Sequence, residues 1–305
     1  MSLFDPDPHR VDLQRLLHFP LPAIRRSYQA RDTILYALGV GAAQGPEAWD
    51  ERHLRFVYEK DLQALPTMAA MLGDPGFWMQ APETGLDWKR LLHGEQSMAW
   101  LGPLPPEGDV TGHNRVLHVE DKGPGRGVIF VVERELRAVD TEDVLVRSHM
   151  TVMARGNQGL PGDLWQQPGA QMPQPLAPLP QRAADRVLDR ATTTNQSLLY
   201  RLSVDPNPLH ADPAVARKAG FERPIMHGMA TFGLLGMILV CEFCEFDTAR
   251  LAEMRARFTA PVYPGETLRC EFWQEDGLIR FRTSVAERNT IVLDRGLARV
   301  RTPRH

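Results

Sequence analysis

The chain has 305 residues, 43% of them hydrophobic and 24% charged, with a net charge of −3, enough for one large or two ordinary domains with ample core. No basic block is long enough to follow a phosphate backbone, so nucleic acid is not an expected partner. The longest apolar run, "GMATFGLLGMILVC" (228–241), is too short to span a bilayer, and no membrane is expected either.

In chain order, "MSLFDPDPHR" places acidic residues where a secretory signal would be basic, and "RTPRH" is not a peroxisomal address; a cytoplasmic protein is expected. "TILYALGVGA" (33–42) reads as helical and precedes "LPTMAAMLG" (65–73), after which "GDPG" (73–76) stops a second helix after about two turns. A helix cut short there predicts a space beneath the first sheet lined by Met68, Met71 and Leu72. The stretches "RVLHVED", "GVIFVVERELRAV" and "VLVRSHMTVMA" then alternate with period two, as antiparallel strands with one buried face do. Residues 156–185, rich in Pro, Gly and Gln, read as a long connector.

Beyond the connector the order repeats. "SLLYRLSVDP" (197–206) aligns with the first helix, and an apolar helix is expected from Gly228 to about Phe246. Four further alternating strands follow: "RARFTAPVY", "TLRCEFWQE", "LIRFRTSVAE" and "IVLDRGLARV". The fold class is α+β, two copies of one module in tandem: residues 1–155, the connector 156–185, and residues 186–305.

In the repeat register Leu35-Tyr36 matches Leu199-Tyr200, and Gly41 stands where Asp205 stands. Only the second copy carries "DPNPLH" (205–210), in which prolines stiffen a turn bearing Asp205, Asn207 and His210. A purely structural turn would recur in both copies. A carboxylate and an imidazole on one turn can flank a single water as base and acid, with Asn207 orienting it; an Asx-turn beside a buried histidine is the competing reading. A metal held by Asp205, His210 and Asp212 lacks a recognisable fourth ligand. The helix start at His227-Gly228 offers unpaired N–H groups, and Gly228 admits an oxyanion close to the backbone. "CEFC" (241–244) has redox spacing but no second ligand pair, so Cys241, Cys244 and Cys270 are expected in the core. "GVGAAQG" (39–45) lacks dinucleotide-loop spacing, and there is no GxSxG nucleophile elbow.

The segment "YRLSVDPNPLHADPAVARKAGFERPIMHGMATFG" (200–233) resembles the signature of the MaoC-like (R)-specific enoyl-CoA hydratases, in the hydratase 2 arrangement. "RFTAPVYPGETL" (257–268), "RDTILYALGVGA" (31–42), "LLHGEQ" (91–96) and "DKGPG" (121–125) extend the resemblance over most of the chain. It implies a double hot-dog fold, its two sheets edge to edge and each wrapping one long helix, and reversible hydration of trans-2-enoyl-CoA to (3R)-3-hydroxyacyl-CoA. Carried over, Asp205, Asn207, His210 and Gly228 are the catalytic positions, and His93, Gly94, Lys122 and Phe258 contact the CoA ester. Lys122 beside "GPG" also suits anionic phosphates on chemical grounds. Val204 stands where the family often has glycine. No metal or cofactor is implied, the acyl-CoA being substrate, and a homodimer is expected. An acyl-CoA thioesterase and a non-enzymatic acyl-CoA-binding subunit are the alternative functions.

Overall fold

The described chain, residues 10–302 without positions 161, 204 and 276, is built around eleven antiparallel strands in the computed structural model. Val204 therefore lies outside the described residues. The first half contains α1 (Leu13–Leu17), β1 (Ile24–Tyr28), α2 (Ala30–Gly39), α3 (Glu51–Leu54), β2 (Leu91–Trp100), β3 (Gly108–Asp121), β4 (Val128–Ala138) and β5 (Val144–Ala154). The connector adds β6 (Leu164–Gln166). The second half contains β7 (Arg186–Ala191), α4 (Gln196–Tyr200), α5 (Pro213–Lys218), α6 (Gly228–Phe243), β8 (Leu251–Phe258), β9 (Thr267–Glu275), β10 (Leu278–Val285) and β11 (Thr290–Val300).

All the strands belong to one sheet, ordered β1-β3-β4-β5-β2-β8-β11-β10-β9-β7, with β6 beside β3. The halves meet edge to edge where β2 pairs with β8, Glu95 opposite Arg257 and Ala99 opposite Glu253. The Arg257 guanidinium grips Glu95 there at 2.6 and 2.8 Å. The outermost strands β1 and β7 carry Arg25, Arg26, Arg186 and Arg190, charges that discourage further strand addition.

The second half wraps its long helix as expected. Residues Ala230 through Val240 of α6 are all buried, each large side chain contributing about 1.5–3 kcal/mol of burial. The helix ends at Phe243 rather than near Phe246, because Glu245 and Phe246 turn left-handed (φ 55° and 62°) and the Phe246 N–H folds back to the Val240 carbonyl.

The first half departs from the one-helix-per-sheet expectation. Its counterpart is a single 3₁₀ turn, Pro66–Ala70, and not two turns of α-helix. At Gly73 (φ +65°) the chain presses onto β3 so closely that a Cβ would lie 2.5 Å from Gly112 Cα, so the helix has no room to continue. The turn is completed instead by α6 of the other half. A Cβ on Gly233 would meet Tyr36 Oη and Val40 Cγ1 at 2.6 Å, and one on Gly236 would meet Thr67 Cγ2 at 2.5 Å. One helix thus serves both halves, and the main core runs continuously through them.

The repeat is visible where α2 meets α4: the Tyr36 and Tyr200 rings lie 6.0 Å apart. The connector is not loose along its whole length. Arg255, Arg280 and Arg295 donate to the carbonyls of Gln174, Ala177 and Leu176, pinning it across the sheet. Cys244 and Cys270 are buried and Cys241 half-buried, all free thiols that burial pushes up to about 12.

Candidate active site

The 205–210 turn is wound on its own side chains. The Asn207 N–H donates to Asp205 Oδ1 (3.1 Å), and the Leu209 N–H donates to Asn207 Oδ1 (3.0 Å). The Asx-turn reading is therefore correct as local structure, and it commits the Asn207 oxygen, leaving its NH₂ for any other partner. It does not consume the rest of the chemistry. The Asp205 carboxylate is one-third exposed, while His210 is buried on the 3₁₀ turn Pro208–His210. His210 Nδ1 donates to the Ile225 carbonyl at 2.8 Å. A carbonyl can only accept, so Nδ1 carries the proton and Nε2 is the free lone pair. Burial holds this imidazole below its ordinary pKa, opposed by the Ile225 bond and the Asp205 charge. Asp212, weighed above as a metal ligand, caps α5 through the N–H groups of Ala214 and Val215.

His227 belongs to the cluster, although its position had marked only a helix start. It is 2% exposed, and its ring stacks on His210 with centroids 3.7 Å apart. Its Nε2–H donates to the Asp205 carbonyl at 3.1 Å. Burial, reinforced by His210, drives its pKa down to about 3. Asp205, His210 and His227 bring donor atoms within 4.8 Å of one another. His210 Nδ1 and His227 Nε2 are committed to carbonyls, so a carboxylate oxygen, the His210 Nε2 and the buried His227 Nδ1, which no described residue bonds, remain. The signal for His227 was in the sequence, a polar ring opening an otherwise apolar helix. Its stacking partner lies seventeen positions away and was not.

Gly228 opens α6 in an exposed position. Among the described residues nothing pairs its N–H or that of Met229, leaving the positive end of a sixteen-residue helix available. A Cβ at Gly228 would come within 3.2 Å of the Phe258 ring. Phe258 in turn packs 4.5 Å from the His93 ring of the first half. Gly94 is the bulge that aims His93 there: His93 pairs with Val152 and Glu95 with Thr151, and Gly94 is skipped. Burial lowers the His93 pKa to about 4. Seven of the eight positions are thus linked by contact or chain neighbourhood. Lys122 is not: it sits on the β3–β4 turn, ion-paired with Glu120 at 2.7 Å.

The MFE-2 hydratase 2 N-terminal domain family matches residues 27–156, and the MaoC like domain family matches residues 175–295. The enoyl-CoA hydratase 2, peroxisomal, of Arabidopsis thaliana is 35% identical over 91% of this chain and 92% of its own length. The chain belongs to the MaoC-like hydratase 2 family. Hydratase 2 similarity also reaches the mouse peroxisomal multifunctional enzyme type 2, 34% identical over 90% of this chain but only 36% of that protein's length. The crystal structure of a MaoC-like dehydratase from Phytophthora capsici superimposes with a TM-score of 0.81 at 30% identity, covering 96% of this chain and all of that one. A Mycobacterium tuberculosis protein described as a double hotdog fold matches at TM-score 0.56 and 17% identity, over 92% of this chain and 93% of that one. The hydratase 2 chain is a double hot-dog and a hydro-lyase. Both of these relatives are named peroxisomal, and they do not support the cytoplasmic expectation. No helix among the described residues is long and apolar enough to cross a membrane.

Proposed function

We propose that the chain reversibly hydrates trans-2-enoyl-CoA to (3R)-3-hydroxyacyl-CoA, with Asp205 and His210 as the acid–base pair. The observation that carries this reading is the His210–Ile225 bond. It fixes the imidazole with Nε2 unprotonated, in a cluster in which Asp205, His210 and His227 bring ligand atoms within 4.8 Å of one another, and Gly228 with its unpaired N–H follows His227 directly in the chain. In the forward direction the water oxygen bonds to C3, and one water proton passes to the pair. The pair returns one proton to C2. Between these events the thioester oxygen carries enolate charge, which the Gly228 N–H and the helix end stabilise. His227 keeps the Asp205 backbone and the His210 ring in register. The route draws on no metal or cofactor. The 3R hand is what the resemblance to the (R)-specific hydratases implies.

The first half has Gly41 where the acid would be and serves in binding, through His93 and Gly94 behind Phe258. Lys122 remains a candidate for the CoA phosphates, reached along the substrate rather than at the reacting carbons.

The test is Asp205→Asn and His210→Gln, assayed by loss of enoyl-thioester absorbance with chiral analysis of the product. Each substitution preserves volume and should cost about a hundred- to ten-thousand-fold in kcat. Near-normal turnover with a native-like melting curve would refute the assignment. Release of free thiol would mark a thioesterase instead, and tight acyl-CoA binding without absorbance loss a binding subunit.

A further inference from the structure

The space expected beneath the first sheet, beside Met68, Met71 and Leu72, measures only about 20 Å³, and Tyr36 is one of its walls. Tyr36 is fully buried, and so is Tyr200, which stands at the same register of the second copy. From Tyr36 the rings follow one another toward the dyad. Its centroid lies 6.0 Å from that of Tyr200, Tyr200 lies 4.8 Å from His227, and His227 lies 3.7 Å from His210. All four are buried, and in a close-packed interior a ring moves only where its neighbour yields. The first half holds Tyr200 twice, by the Tyr36 ring and by Met71, whose sulfur the Tyr200 hydroxyl meets. Tyr36 itself meets Thr67 of the Pro66–Ala70 turn, where Tyr200 meets a histidine.

The bond to Ile225 fixes the His210 tautomer, but a hydrogen bond tolerates tens of degrees of swing about it. The face of His227 removes that freedom. Acid–base chemistry is sensitive to such a swing, since a misplacement of about 1 Å can cost about a hundredfold in rate. Charge matters as well. When His210 takes the water proton, an imidazolium forms against the His227 ring, which must then be neutral. Burial keeps it so, with a pKa of about 3. The charged groups facing the two rings are Asp205 and Arg201. We propose that Tyr200 and His227 are positioning residues for His210, and that the first half, through Tyr36 and Met71, holds the catalytic imidazole of the second. The proposal rests on the hydratase reading above and gives the half without an acid a part in the chemistry.

The experiment is a double-mutant cycle in the full chain, read beside the ¹⁵N shifts of the His210 ring. Tyr200→Leu should lower kcat about ten- to a hundredfold, with KM changed far less, and Tyr200→Phe, which keeps the ring, should restore most of the rate. His227→Gln, which keeps a donor for the Asp205 carbonyl but removes the ring, should act like Tyr200→Leu and serves in its place if that variant does not fold. In a His210→Gln background Tyr200→Leu should cost less than about twofold, because no imidazole is left to position. The ¹⁵N shifts should show the Nδ1–H form alone in the parent and a mixture of tautomers in Tyr200→Leu, His227→Gln and Tyr36→Leu, but not in Tyr36→Phe. Parental shifts in folded leucine variants, or losses of kcat equal with and without His210, would overturn the proposal. Mixed tautomers in variants of a chain that hydrates no enoyl-CoA would support the positioning while refuting the hydratase reading.

Discussion

Acid should destabilise this protein well above the range in which its carboxylates titrate. His93 and His227 are held neutral by burial, with pKa values near 4 and 3, against about 6.5 in an unfolded chain. Below pH 6.5 the unfolded chain therefore binds protons that the folded one refuses, and stability falls as pH falls. At pH 5 each imidazole is about 1.5 units below its unfolded pKa, or about 2 kcal/mol, so the pair removes about 4 kcal/mol relative to pH 7.5. His210 and His53, also lowered chiefly by burial, act in the same direction. That loss is a large share of the 5–15 kcal/mol typical of a folded protein. Carboxylates such as Glu133 and Glu135, whose pKa values burial raises but hydrogen bonds and charges from His149, Arg115, Arg147 and Arg137 bring to a net lowering, contribute mainly below about pH 4.3. Urea unfolding at pH 7.5 and pH 5 measures the effect directly. His93→Gln with His227→Gln should recover roughly half or more of the loss. Equal stability of the unmodified chain at the two pH values, or a double variant as acid-sensitive as its parent, would refute the reasoning.

Gly228→Val should lower kcat strongly with little change in melting temperature, because the added side chain collides with Phe258 at an exposed helix start; steady-state kinetics beside a thermal melt separates the two. Gly233→Ala should do the reverse, destabilising by about 1–3 kcal/mol, since its methyl would lie 2.6 Å from Tyr36 and Val40; denaturant titration checks it. Residues 186–305 expressed alone should aggregate or self-pair, having lost the β2 partner of β8 and the cover that Tyr36 and Thr67 give α6, and adding the first half in trans should restore solubility. A soluble, monomeric and active fragment, judged by light scattering and turnover, would contradict this.

Local signals carried well from sequence to structure. The proline-stiffened acid–imidazole turn, the apolar helix from Gly228 and the alternating strands each depend on neighbouring residues, and each was legible. What was not legible depends on pairs distant in the chain. The His210–His227 stack, the His93–Phe258 contact and the Glu95–Arg257 grip join positions whose proximity no periodicity encodes. The shortened first-half helix was half legible: "GDPG" announced the break, but the Gly73–Gly112 approach that makes it shorter still is a matter of two backbones meeting. Lys122, whose sequence context suggested a ligand, is ion-paired with Glu120, a pairing the sequence pattern did not announce.

The sharing of α6 has a historical consequence. Two tandem copies begin as equals, and either could in principle lose or regain its chemistry. Once Gly233 and Gly236 let Tyr36, Val40 and Thr67 lie against that helix, the volume a second long helix would need was occupied. Placing an acid at Gly41, where the backbone is left-handed at φ +91°, would not build a site, because the first half has only the 3₁₀ turn Pro66–Ala70 where a long helix would begin. The first half can drift in what it recognises, but a single substitution does not make it a catalyst.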